Sequence, residues 1–283
     1  MCMGFGCNAV GVTGTNIIDS PRERLIAVLT NNFVPCNGRF PTIIIMATIF
    51  VGGGCALWLR PTMSALVVFF VILLGICMTF LVSRLLSATI LKGMPSRFTL
   101  ELPPYRKPKI GSVLVRSVLD RTLFVLGRAV SVAAPAGIVI WLLANTMIGG
   151  TSILNYTANF LDPFAKLFGL DGYIFLAFIL GMPANEIVVP LMVMSYMSQG
   201  SLVSMDNLDM MKTIFVDNGW TLLTAVNVIL FMLMHWPCAT TLLTIKKETK
   251  SVKWTVLAFL IPTLAGLVCC FITTSAVKLV NLM

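Results

Sequence analysis

Three cysteines stand beside helix-breaking residues in a chain otherwise built of apolar runs. Cys7 lies in G-F-G-C-N (4–8), Cys36 in F-V-P-C (33–36) and Cys238 in H-W-P-C (235–238). A fourth break, G-M-P-A-N-E (181–186), brings Glu186 into the core of an apolar segment. Thiolate, imidazole and carboxylate suit a borderline transition metal such as Fe²⁺, whereas Mg²⁺ and Ca²⁺ take hard oxygen donors. Ionisable groups inside a membrane are costly and mark pathways. Cys7, Cys36, Cys238 and Glu186 are therefore the candidate metal-interacting residues. Gly4, Gly6, Asn8, Pro35, Gly181, Pro183, Asn185, His235 and Pro237 form the breaks that would present them. Structural readings stand beside these: Glu186 as a brace of the Pro183 break, the cysteines as inert packing groups. His235, the only histidine, reads equally as a ligand or as an interfacial residue beside Trp236. Asn8 and Asn185 offer carbonyl oxygens or helix caps.

The elements that must hold these residues are membrane helices. The chain is 58% hydrophobic and only 11% charged, with a mean hydropathy of +0.95. Soluble domains carry about 25% charged residues. Apolar runs of about twenty residues recur, enough to cross roughly 30 Å of hydrocarbon. The fold class expected is an all-α polytopic membrane protein with two gate-type repeats, broken or re-entrant helices and about 5–7 membrane segments. A short helix is expected over 21–34, with Pro21 at its first position and Asp19 or Ser20 as cap. Spans follow at 42–59 and 64–83, joined by an R-P-T turn at 60–62, then at 129–147 and 252–277. Segment 173–198 is broken at Pro183–Glu186, and 221–245 at His235–Cys238. Residues 148–172 and 199–219 read as polar connections. The domains expected are a first gate repeat (1–83), a basic segment with an interfacial helix (84–128) and a second gate repeat (129–283).

Charge orients this arrangement. The net charge is +9, and nine Lys/Arg residues fall between Arg84 and Arg128 against Glu101 and Asp120. E-L-P-P-Y-R-K-P (101–108) cannot be regular helix. Beyond it, 110–127 alternates apolar and charged residues as an interfacial helix does. Such a basic loop is a cytoplasmic orientation signal, and it excludes nucleic-acid binding as the reason for the charge. Segment 246–253 is also basic, whereas 148–172 and 199–219 are basic-poor. Both basic segments share one side only if 173–198 dips into the membrane and returns.

The breaks also match between halves. G-F-G-C-N corresponds to G-M-P-A-N, and F-V-P-C to H-W-P-C. Gly/Pro-interrupted apolar segments at corresponding positions of two repeats point to a transporter's binding site. The other cysteines with clear context, Cys55, Cys77, Cys269 and Cys270, sit in plain apolar runs as small hydrophobes. No C-x-x-C spacing or secreted disulfide framework is present.

G-F-G-C-N, R-E-R-L, the Pro-Cys break at 35–36, E-L-P-P-Y, G-M-P-A-N-E and W-P-C-A-T-T resemble the membrane region of the ferrous iron transport protein B (FeoB) family over nearly the whole chain. The resemblance implies two gate repeats and passage of Fe²⁺ into the bacterial cytoplasm through a multi-pass protein of the cytoplasmic membrane. It nominates Cys7 and Cys36 in the first gate and Cys238 in the second as pathway thiols. That family begins with a G domain, but G-x-x-x-x-G-K-[ST] does not occur here. GTP chemistry is thus expected only through a missing domain or a separate cytoplasmic partner. No secretory leader precedes the Gly-rich motif, so a C-terminal fragment or one piece of a split protein is expected.

One histidine, no paired intramembrane carboxylates and no G-x-S-x-G argue against an enzyme. No permanently bound cofactor is expected, with Fe²⁺ as the transported ion. Partners that follow are Fe²⁺, membrane lipid, a G domain or cytoplasmic protein, and a second copy in a homo-oligomer. Two alternatives remain at this point: a gate-repeat transporter of another solute such as a nucleoside, and a transport-inactive fragment or scaffold.

Overall fold

A computed structural model describes residues 2–54, 58–92, 111, 124–148, 150–197 and 208–282. Most of the basic segment 84–128, including 101–108 and the expected interfacial helix, lies outside the described residues, as does Cys55. Twelve helices of the α type carry the described chain: α1 (Asn8–Gly14), α2 (Pro21–Thr30), α3 (Phe40–Met46), α4 (Arg60–Ala88), α5 (Phe124–Asn145), α6 (Ile153–Lys166), α7 (Gly172–Leu180), α8 (Val188–Met197), α9 (Leu208–Asp217), α10 (Leu222–Met234), α11 (Ala239–Thr249) and α12 (Val252–Leu282). The only sheet among the described residues pairs Met147–Ile148 with Thr151–Ser152.

Among the described residues, three stretches are long and apolar enough to cross a membrane: Arg60–Ala88, Leu222–Thr249 and Val252–Val280. The protein is multi-pass. α4 and α12 turn large apolar side chains outward, among them Phe69, Phe70, Phe80, Leu264 and Phe271. In water such faces would be untenable, but lipid covers them without cost. The core is built from α7, α8 and α10, where Ile174, Phe178, Leu191, Met192, Val228 and Phe231 are fully buried.

Local chemistry explains the element boundaries. Ser20 accepts a hydrogen bond from the Glu23 amide and Pro21 starts α2, as the sequence indicates. Three expectations are corrected. The span expected at 42–59 is α3 followed by one π-helical stretch (Ala47–Val51) and Gly52–Gly54, and its apolar helical part, Phe40–Val51, is too short to cross alone. R-P-T is not a turn: Arg60 and Pro61 open α4, where a missing amide costs nothing. The polar connections contain helices, α6 and α9, each with one apolar side that packs on its neighbours.

The ends of the helices fix the topology. At one end, the Arg22 Nε donates to the Leu91 carbonyl beyond α4, and Asn16 Nδ2 donates to Glu248 Oε2 at 2.7 Å. Arg24 also donates to the Glu248 carbonyl at 3.4 Å, so Arg22, Arg24 and Lys92 meet the stretch that carries Lys246, Lys247, Lys250 and Lys253. At the other end, the Tyr196 hydroxyl donates to the Asp171 carboxylate, and Trp220 Nε1 donates to the Tyr196 oxygen at 2.8 Å. Asp171 begins α7 and Tyr196 ends α8. The two helices, about 14–15 Å each at 1.5 Å per residue, therefore enter from one end, break at 181–187 and return. The re-entry required by the loop charges is present. α1 runs from its break toward the basic end, whereas α8 runs from the matching break toward the opposite end. The halves are inverted relative to each other, as in many secondary transporters.

Candidate functional site

The four breaks meet inside the molecule. Cys7 caps α1 with φ −152° and ψ 125°, and Ala184, its counterpart, precedes the short 3₁₀ turn Asn185–Ile187 with φ −149° and ψ 114°. Within each half a main-chain bond ties one break to the other. The Asn37 amide donates to the Gly6 carbonyl at 3.3 Å, and the Ala239 amide donates to the Met182 carbonyl at 2.9 Å. The correspondence read from sequence is thus repeated in backbone geometry, shifted by one residue at the acceptor.

Side chains then join the halves. His235 is 1% exposed, so its reading as an interfacial residue fails. Its Nδ1 faces the carbonyls of Met232 at 2.9 Å and Phe231 at 3.2 Å. Two acceptors on that side place the proton on Nδ1 and leave a lone pair on Nε2 of the neutral ring. Nε2 lies 3.3 Å from the Asn185 amide oxygen, whose amide nitrogen lies 4.0 Å from Cys36 Sγ. An acceptor does not bond an acceptor, and the two ends of an amide are interchangeable in shape. Turned over, the amide donates N–H to Nε2 and accepts the Cys36 S–H. The chain Cys36–Asn185–His235 therefore links the first half's Pro-Cys break to both breaks of the second.

The remaining candidates surround this bridge. Cys238 caps α11, its sulfur 3.1 Å from the Thr241 hydroxyl, and lies within charge–charge range of both Cys36 and Cys7. Glu186 is exposed and faces the first half: a methyl group placed on Gly38 would meet its Cγ at 3.3 Å and its Oε1 at 3.4 Å. Pro35, Pro237 and Gly181 are buried at the breaks, Pro183 is half-buried and Gly6 is exposed. Asn8 is buried; its Nδ2 donates to Asn32 Oδ1 at 3.4 Å, and its carbonyl accepts from Asn31 Nδ2 at 3.0 Å. Gly4 is small because Asn31 Oδ1 would stand 3.0 Å from any added Cβ. Among the described residues no three His, Cys, Asp or Glu side chains form a ready cage for a metal ion. Cys77 is exposed on α4, and Cys270 is buried, donating to the Asn227 carbonyl at 3.5 Å; neither belongs to the site.

Sequence reading passed over Arg39 and the pair Asn31–Asn32. Arg39 is fully buried and donates five hydrogen bonds, to the carbonyls of Asn32, Leu233, His235 and Trp236 and to Asn32 Oδ1, at 2.7–3.3 Å. Asn32 also donates to the His235 carbonyl at 2.7 Å. The available signal was a fixed charge enclosed by the two prolines of P-C-N-G-R-F-P, which is costly in an apolar setting unless used.

Comparison with known proteins agrees with this architecture. A family model described as "Ferrous iron transport protein B C terminus" matches residues 68–120, and one described as "Gate: Nucleoside recognition" matches 126–252. The chain is 31% identical over 281 residues to the Fe(2+) transporter FeoB of Staphylococcus aureus (strain MSSA476), covering 96% of this chain and 39% of that protein. The Fe(2+) transporter FeoB of Synechocystis sp. is 26% identical over 264 residues, covering 92% of this chain and 40% of the relative. A Fe(2+) transport protein A/Fe(2+) transporter FeoB fusion protein of Porphyromonas gingivalis is 33% identical over 144 residues, covering 51% of this chain and 16% of the relative. No solved structure matches. The chain spans about two fifths of the length of the first two relatives. With both family models falling on the α4–α12 region, and the curated likeness running through the Gly-Asn and Pro-Cys breaks, the chain belongs to the FeoB family and corresponds to the C-terminal part of its members.

Proposed function

We propose that this chain is the membrane permease region of a ferrous iron transporter, with Fe²⁺ passing the junction of the four breaks. Cys7, Cys36, Cys238 and Glu186 act as exchangeable ligands that replace part of the ion's water shell in turn. The observation that carries this reading is the Asn185 amide between Cys36 and His235, with Cys238 in charge range of Cys36 and Cys7. Thiolate donors select Fe²⁺ over Mg²⁺ and Ca²⁺. A transport site needs ligands few enough to release the ion. GTP would act only through a G domain or separate partner; independently, the relative that joins a Fe(2+) transport protein A to FeoB suggests a protein partner of that kind.

Three measurements test the reading. In a complete transporter at matched membrane amounts, Cys7→Ser, Cys36→Ser, Cys238→Ser and Glu186→Gln should each lower Fe²⁺ uptake several-fold, with Cys77→Ser unchanged. Uptake should also decline on acidification, because the ligands must be deprotonated to hold metal. Parental uptake in the three pathway-cysteine variants would remove the thiol path. The basic end is cytoplasmic by the positive-inside rule. Cysteines introduced at Lys92 and Lys250 on a cysteine-free background should resist an impermeant reagent added outside intact cells; rapid labelling at both would invert the topology.

The description of the matched Gate family favours a second reading, transport of a nucleoside. Excess nucleoside should leave Fe²⁺ uptake unchanged if the ferrous reading holds. Saturable nucleoside uptake with no Fe²⁺ uptake would replace it.

A further inference from the structure

We propose that Arg39 is the specificity-determining residue of the gate. It is a tethered guanidinium that fills the carbonyl cage opened by the His235–Cys238 break, and it bars cations that cannot offset its charge. The inference rests on the reading of the breaks as a cation path.

The cage follows from helix geometry. In an unbroken helix the Leu233 carbonyl would accept from residue 237, but Pro237 has no N–H. The His235 carbonyl would accept from Ala239, whose amide is instead bonded to Met182 across the hairpin. Both freed oxygens, together with those of Trp236 and Asn32, turn to Arg39 at 2.7–3.3 Å. Unwound carbonyls of this kind coordinate cations in transporters and channels. Here they already hold one.

The charge is permanent and unusually bare. A guanidinium does not lose its proton in proteins. Among the described residues no carboxylate pairs with Arg39, and its Nε has no hydrogen-bond partner. The anionic capacity nearby is sulfur: Cys36 and Cys238 both lie in charge range of the guanidinium. An alkali ion arriving here finds the carbonyls occupied, a like charge facing it and donors too soft to bind it. Fe²⁺ finds thiols it can engage. At an effective dielectric constant of about 20, a like charge in this range lowers cation occupancy by on the order of 10-fold or more.

A brace and a barrier differ in what they require. A brace depends on the planar five-donor fork, which lysine lacks; a barrier depends on charge, which lysine keeps. The whole transporter is reconstituted in liposomes without iron, and passive Na⁺ flux is measured for the parent, Arg39→Lys, Arg39→Gln and Arg39→Met. The expected result is Na⁺ flux at least 10-fold above the parent in Gln and Met variants, with the Lys variant within about 2-fold of the parent. Parental tightness in the neutral variants, or a Lys variant as leaky as they are, overturns the proposal. Where neither neutral variant reaches the membrane folded, the Lys variant decides: a tight protein supports the barrier and a leaky one ends it. Because no iron is present, the flux result stands apart from the cysteine-variant uptake that tests the ferrous reading.

Discussion

A methyl group added at Gly172 is expected to unseat the re-entrant hairpin. An ideal Cβ there would stand 1.9 Å from the Ala158 carbonyl oxygen and 2.9 Å from the Asp162 amide nitrogen. Both are backbone atoms of α6, so no rotamer change relieves the clash. The Gly172 amide also donates to Asp162 Oδ1 at 3.1 Å, pinning the two helices at that separation. Gly172→Ala should therefore cost on the order of 3 kcal/mol or more, at the upper end of overpacking penalties. Purified protein should melt roughly 10 °C lower. Gly137→Ala, in α5 where an added methyl meets nothing within 4 Å, is the matched control and should melt at or slightly above the parental temperature. Equal melting of the two variants would mean that α6 and α7 do not approach as closely as described.

Asn185→Leu is expected to abolish most transport with a smaller loss of stability. Leucine has the same branched skeleton in a bulkier form but can neither donate to His235 Nε2 nor accept from Cys36. Two buried polar groups are left without partners, a loss of about 1–3 kcal/mol. The functional loss should be larger, at least about 1000-fold in Fe²⁺ uptake at matched membrane amounts, because the amide is the direct link between the first half's thiol and the second half's breaks. Undiminished uptake in this variant would show that the Cys36–Asn185–His235 bridge is packing alone.

What the sequence made legible is what depends on backbone chemistry. Pro183, Pro237, Pro35 and the glycines beside them forbid regular helix, and each break lies where they stand. Ser20 and Pro21 mark the start of α2 in the same way. Loop charge carried the re-entry of α7 and α8, since only a hairpin puts both basic segments at one end. Long-range events left no local trace. Segment 40–54 is apolar enough for a span, yet Gly52–Gly54 and a π-helical stretch end it early against α4 and α10. α6 and α9 were hidden because a helix with one polar face has the composition of a loop. Arg39 escaped for another reason: three of its four carbonyl partners come from residues almost two hundred positions away, and nothing around it in the chain shows that they are waiting.

The two main-chain staples, Asn37 to Gly6 and Ala239 to Met182, use no side-chain atom. The frame of each half is consequently indifferent to which residue occupies the corner that follows the break. Cys7 and Ala184 show this directly, since a thiol and a methyl group share nearly the same dihedral angles at matching corners. Divergence at these corners is therefore nearly free of folding cost, and a duplicated ancestor could exchange sulfur for carbon there without rebuilding the scaffold. The same scaffold can then be retuned for a different cargo by a handful of codons, as suits a gate architecture shared by a description naming nucleosides and relatives named for ferrous iron.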